Sequence, residues 1–140
     1  MPERQLALLV VEAPDRTGIL ARIARALAKS GINVEGFVAD ASGIQIVSHQ
    51  GDLAASIVRS LGCRCGVTYV QEIRLPDQPG ALAELCERLA NAGVNLPTAF
   101  GAGTGGTARV YLSVSDVRRA GPIIASYAQP ASPAPSSSGA

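Results

Sequence analysis

Residues 15–34 read DRTGILARIARALAKSGINV, and residues 77–96 read DQPGALAELCERLANAGVNL. At a fixed offset of 62 the two stretches share Asp15/Asp77, Gly18/Gly80, Leu20/Leu82, Ala21/Ala83, Leu27/Leu89, Ala28/Ala90, Gly31/Gly93 and Asn33/Asn95. Most of the remaining pairs are conservative, such as Ile23 with Leu85 and Ile32 with Val94. The chain therefore reads as two copies of one unit, and a repeat of this kind is settled before a fold is named.

Each stretch carries the marks of one amphipathic helix. Leu20, Ile23 and Leu27 recur at three- and four-residue spacing, as do Leu82, Leu85 and Leu89, which gives one apolar face. Thr17 or Asp15 is placed to cap the first helix. Asp77 or Gln78 is placed to cap the second, with Pro79 in its opening turn, where a missing N–H is harmless. Gly31 and Gly93 stand where a helix ends on a left-handed residue.

Strand patterns flank both helices. Leu6–Val11 precedes the first and Val70–Leu75 the second. After the first helix, residues 33–39 lead through the turn Asp40-Ala41-Ser42-Gly43 to Ile44–Val47. After the second, residues 95–100 lead through GAGTGG (101–106) to Ala108–Leu112, where the offset grows to 64. Alternation of apolar with polar residues in the later strands predicts a sheet with one face on the helices. Asp52 and Asp116 each open a second helix, over about 52–61 and 116–127, the latter interrupted by Pro122. Residues 63–70 supply a fourth strand to copy one and run almost directly into the first strand of copy two. After Tyr127 the sequence AQPASPAPSSSGA has no apolar run. Copy two therefore either lacks its last strand or has another segment at that edge. The expected class is α+β: two tandem ferredoxin-like βαββαβ units with antiparallel sheets, at 4–70 and 71–128, the second without its last strand. Residues 129–140 are expected to be a disordered Pro/Ser/Ala tail.

Composition bounds the function. Of 140 residues, 47% are apolar, 16% charged and 4% aromatic, with no Trp, which implies an aliphatic core. The formal net charge is +1, and Arg16, Arg22, Arg25 and Lys29 are spread along a helix rather than gathered in a block. Nucleic-acid and membrane partners gain no support from this. No apolar run approaches membrane-spanning length, and the opening MPERQLALLVV lacks the features of a signal peptide. Three cysteines, an odd number, fit free thiols in a reducing compartment, so a cytoplasmic location is expected. Low surface charge and exposed strand edges predict a homodimer.

The pattern strand, Asp-x-Pro-Gly-x-Leu, helix, Gly-Ile-Asn-Ile resembles the ACT domain. Copy two carries it as DQPGALAELCERLANAGVNL. Copy one departs at Thr17, where the family has proline, and at Ala13, where some members place a polar binding residue. The chain is similar to small free-standing tandem ACT proteins. The resemblance implies regulatory binding of a free amino acid or similar small effector, with the signal passed to a metabolic enzyme. It also implies a site between paired units, bounded by the loop after the first strand, the start of the first helix and the start of the second strand. Carried onto this sequence, the ligand-binding residues are Asp15, Gly18, Ile19 and Asn33, with Asp77, Gly80, Ala81 and Asn95 in copy two.

The chemistry of those residues suits a zwitterion. A helix starting near Gly18 or Gly80 has first-turn N–H groups free for a carboxylate, and the helix dipole favours the negative charge. Glycine lets a ligand approach the backbone. Asp15 or Asp77 can accept from an ammonium, and Asn33 or Asn95 offers a donor and an acceptor. The same residues also have plain structural readings: the aspartates as caps, the glycines as turn residues, the asparagines as partners of turn backbone. The competing function is a protein-pairing module whose effector sites have decayed.

Other motifs carry less. GAGTGG lacks the Lys-Ser/Thr of a phosphate loop and joins two strands, so it reads as a hairpin loop, with a ligand-gating role as the alternative. Cys63, Cys65 and His49 lack metal-ligand spacing. Cys63 and Cys65 read as structural thiols, Cys86 as core, and His49 as a strand-end residue. One histidine and no nucleophile motif leave no catalytic group, so no enzyme activity, cofactor or metal is expected.

Overall fold

The computed structural model describes residues 4–13 and 17–127. The chain is α+β with antiparallel strand pairing. Its elements in order are β1 (Arg4–Glu12), α1 (Ile19–Lys29), β2 (Gly36–Asp40), β3 (Gly43–Ser48), α2 (Gly51–Ser60), β4 (Arg64–Pro76), α3 (Ala81–Asn91), β5 (Thr98–Gly103), β6 (Thr107–Ser113) and α4 (Val117–Ala125). Among the described residues it divides into two compact units, Leu6–Val70 and a second that joins residues 71–127 to residues 4–5.

In the first unit, β3 lies between β2 and β1, with Phe37 opposite Ile46 and Leu9 opposite Ile46 on the other side. Strand β4 takes the remaining side of β1, where Arg64 Nη1 comes 3.9 Å from Glu12 Oε1. The core forms where the alternate residues Leu9, Val11, Ile44 and Ile46 meet Ile23 and Leu27 of α1 and Ala54, Ala55 and Val58 of α2. Gly51 starts α2 without a side chain because a Cβ there would run into the Ala7 methyl. Cys63 and Cys65 are buried in the same core. Desolvation pushes the Cys65 thiol up from its usual range, which leaves it protonated and a poor nucleophile.

In the second unit, β6 lies between β4 and β5, with Ile73 opposite Val110 and Gly101 opposite Val110 on the other side. Ile73, Leu75, Val110 and Leu112 meet Leu85 and Leu89 of α3 and Ala120 and Ile124 of α4.

The first helix of each unit ends in the same way. Gly31 and Gly93 adopt φ of 74° and 76°. Gly31 N donates to Ala28 O at 3.0 Å and Ile32 N to Leu27 O at 3.0 Å; Gly93 N donates to Ala90 O and Val94 N to Leu89 O, both at 2.9 Å. These are paired Schellman closures, and Ile32 and Val94 carry the chain straight into the two cores.

Several sequence expectations are corrected. The N-caps of α1 and α3 are Gly18 and Gly80, with no side-chain cap bond, so neither Thr17 nor Asp77 nor Gln78 caps a helix. Pro79 precedes α3 rather than standing in its first turn. Pro122 does not interrupt α4: the helix passes through it, held onto the sheet by buried Ala120 and Ile124. Residues 64–76 form one strand with no break at Val70. Of GAGTGG, Gly101–Gly103 belong to β5, and only 104–106 turn. Cys86 is half-buried outside the core cluster. The tail expected at 129–140 lies outside the described residues.

Candidate functional site

The starts of α1 and α3 are built on one plan. Gly18 (φ 87°, ψ −2°) and Gly80 (φ 92°, ψ −18°) hold a left-handed conformation that an L side chain rarely adopts. The carbonyl of each accepts the first helical bond, from Arg22 N at 2.9 Å and from Glu84 N at 2.9 Å. With glycine as the cap, neither cap residue offers a side chain to the first-turn N–H groups of its helix.

The remaining site residues diverge. Asp15 lies outside the described residues. Ile19 is 9% exposed and packs into the first core, so its side chain serves the fold. Asn33 Nδ2 donates to Glu35 Oε2 at 3.3 Å, and the same oxygen sits 2.9 Å from His49 Nδ1. Asn33, Glu35 and His49 thus form one polar cluster at the start of β2 and the end of β3. Asn95 does otherwise: its backbone N–H donates to Ser115 Oγ at 2.8 Å, and its carbonyl accepts from Ser115 N at 2.9 Å. That pair ties the end of α3 to the approach to α4.

Asp77 is held most firmly. Its N–H donates to Gly106 O at 3.1 Å, and its Oδ2 accepts from Gly105 N at 2.7 Å. The carboxylate occupies the space where a side chain on residue 103 would stand, so a larger residue there would have to push it aside. The loop before α3 and the β5–β6 hairpin are therefore joined through one aspartate. No local pattern in the sequence announces this contact, because the partners are 28 residues apart.

Two cavities flank the start of α3. One, of about 350 Å³, is lined by Leu75, Asp77, Ala81, Leu82, Cys86 and Gly103, among other residues of β5 and β6. Asp77 is the one charged side chain in its lining. The other, of about 560 Å³, lies toward the end of α4 and is lined by Arg74, Gln78, Gly80, Glu84, Ser126 and Tyr127 among others. Arg88 stacks over Tyr127 at 5.1 Å and donates from Nη1 to Ser126 Oγ at 3.0 Å. The structure thus brings Asp77, Gly80 and Ala81 together around one helix start, while Asn95 lines neither cavity.

Sequence reasoning missed the Glu35–His49 contact and the Glu72–Arg109 ion pair. Glu72 is 5% exposed, and Arg109 Nε lies 3.0 Å from its Oε2. Among the described residues, no group of three or more His, Cys, Asp and Glu is arranged to hold a metal. Among them, too, no helix is long and apolar enough to cross a membrane.

The overall arrangement of these elements recurs in solved structures. The family model described as the ACT domain matches residues 7–54, from β1 into α2. No curated protein matches the chain by sequence. Among solved structures, protein BT0572 from Bacteroides thetaiotaomicron is 22% identical over 86% of this chain and 84% of its own, with a TM-score of 0.66. The ligand-free regulatory subunit of aspartate kinase from Thermus thermophilus is 16% identical over 88% and 90%, with a TM-score of 0.67. E. coli aspartokinase III in complex with lysine and aspartate is 14% identical, with a TM-score of 0.64; the match covers 89% of this chain and 31% of that one. The ACT fold of aspartate kinase regulatory parts is therefore shared over most of this chain. The matched ACT stretch contains the departing Thr17, and the cleaner DQPG motif lies outside it.

Proposed function

We propose that this chain is a non-catalytic regulatory module that binds a free amino acid at the glycine-started helices of two tandem ferredoxin-like units, 4–70 and 71–128. The observation that carries the reading is the uncapped start of α3 beside a cleft whose single charge is Asp77. Backbone N–H groups at a helix start suit a carboxylate, and an aspartate nearby suits an ammonium. The T. thermophilus structure is a regulatory subunit of aspartate kinase, and the E. coli enzyme was solved with lysine and aspartate. Those names support a regulatory role and put lysine and aspartate first in the panel to be tried. In this reading the chain is a cytoplasmic homodimer that acts on a metabolic enzyme. Exposed Phe37, Leu53 and Val117 support a pairing surface.

Calorimetric titration with the twenty amino acids tests the proposal. Saturable binding that Asp77→Ala or Asp15→Ala weakens is the expected result, and no heat with any amino acid removes it. A second reading, a pairing module without ligand, is favoured by the engagement of Asp77 with Gly105 and of Asn33 with Glu35. It expects a dimer by light scattering and no amino-acid binding.

A further inference from the structure

The glycines of residues 101–106 have separate structural duties. Gly101 lets β5 lie close against the backbone of β6, where a Cβ would meet the Arg109 carbonyl. Gly103 leaves room for the Asp77 carboxylate. Gly105, at φ 100°, turns its N–H onto Asp77 Oδ2 at 2.7 Å. Within the turn, Thr104 N and Oγ1 both donate to Thr107 O, at 3.0 and 2.8 Å. The hairpin is thus closed on itself and then tied, through Gly105 and Gly106, to a residue outside it.

That tie lies at the 350 Å³ cleft. Gly101–Gly103 form one part of the lining; Ala81, Leu82 and Cys86 of α3 form another; Leu75–Gln78 supply the end that Asp77 occupies. Aside from Asp77 and Gln78 the lining side chains are apolar or a thiol. A ligand with an aliphatic body and one positive charge matches it. An ammonium seated in the cleft would pull the Asp77 carboxylate toward itself, and turning the carboxylate into the cleft lengthens its bond to the Gly105 N–H.

We propose that Asp77 is a latch that holds the tip of the β5–β6 hairpin, residues 104–106, against the loop before α3 on the Gly103 side of this cleft, and that a small primary amine with an aliphatic body releases the tip by drawing the carboxylate away from it. The latch itself stands on the contacts of Asp77. The identity of the opener rests on the amino-acid reading above. Cys86 is a built-in reporter, since it lines the cleft, whereas Cys63 and Cys65 are buried in the other unit.

The full chain is treated with N-ethylmaleimide, and labelling is followed at each cysteine by peptide mass spectrometry. Amide exchange of residues 103–107 is recorded in parallel. Asp77→Ala and Gly103→Ala are expected to speed labelling of Cys86 several-fold and to expose the Gly105 amide, with Cys63 and Cys65 unchanged. Asp77→Asn keeps a carbonyl acceptor and is expected to stay near wild type. If one alanine variant also speeds Cys63 and Cys65, it has loosened the whole fold, and the other variant decides. Unchanged Cys86 labelling and a still-protected Gly105 in both would overturn the latch. L-Leucine is the probe for the opener, and it is expected to bind and to speed exchange at Gly105. Leucine that binds without moving Gly105 overturns the coupling and leaves amino-acid sensing intact. Absence of heat with any amino acid removes the sensing reading, while the variant effects still decide the latch.

Discussion

The two copies agree in their helices and part at their hairpins. Both hairpins are organised by an aspartate, but the aspartates come from different places. In the first unit Asp40 closes its own turn: its Oδ1 accepts from Ser42 N at 2.9 Å and from Ser42 Oγ at 2.6 Å. In the second unit the aspartate comes from the loop before α3, and the hairpin's own turn is tied by Thr104 and Thr107. Among the described residues, the first turn is closed by its own aspartate, whereas the second is tied through Asp77 to the loop that starts α3.

The comparison breaks most visibly in the cores. Ile23 and Leu85 occupy equivalent places, and both are fully buried. Replacing either by alanine is expected to destabilise its unit by about 2–5 kcal/mol, from lost transfer energy plus the cavity left behind. Urea unfolding followed by amide exchange in each unit measures this. A cost confined to one copy would show that the repeat does not extend to energetics.

Gly101→Ala comes next. Its Cβ would meet backbone, which cannot move aside, so a loss of about 1–3 kcal/mol is expected in thermal melts. Gly103→Ala meets only the carboxylate of Asp77, a side-chain end that can swing away. Its cost, and that of Asp77→Ala, is expected at about 0.5–1.5 kcal/mol, the worth of a hydrogen bond. Since both remove one contact, the double variant should cost little more than either alone. Full additivity in the same melts would mean that Gly103 serves something besides the latch.

The smallest effect is a pH response in the first hairpin. The Ser42 hydroxyl, then the Ser42 backbone N–H, holds the Asp40 carboxyl below its usual range. A carboxyl lowered in the folded state adds stability above the unfolded value, roughly 3.9, and loses it as pH falls through the folded value. Ser42→Ala should bring the Asp40 titration back up toward that value, read by carbon-detected NMR. An unchanged titration would mean that the backbone alone sets the turn.

What the sequence disclosed follows from range. Gly18 and Gly80, Gly31 and Gly93, and the Ile23 and Leu85 positions are legible because helix starts, helix ends and apolar faces are set within a few residues. The offset of 62 doubled each signal. Asp77 reads from the sequence as a helix cap, but its acceptor role is fixed by Gly105, far along the chain. Glu72–Arg109 and Glu35–His49 are hidden for the same reason: the first joins β4 to β6, the second joins the residues just before β2 and just after β3, and strand register is not written in either partner alone. Pro122 misled because burial of Ala120 and Ile124 outweighs one missing helical bond.

Strand β4 bears on how the molecule can be taken apart. Its thirteen residues belong partly to each unit, and Arg4 and Gln5 at the head of the chain group with the second. A gene fragment beginning at residue 71 would start in the middle of a strand and leave those two residues behind. Fragment complementation, rather than expression of either half alone, is therefore the natural way to dissect this protein: a cut in the turn at 104–106 leaves every strand whole, and a cut at 70 leaves one divided.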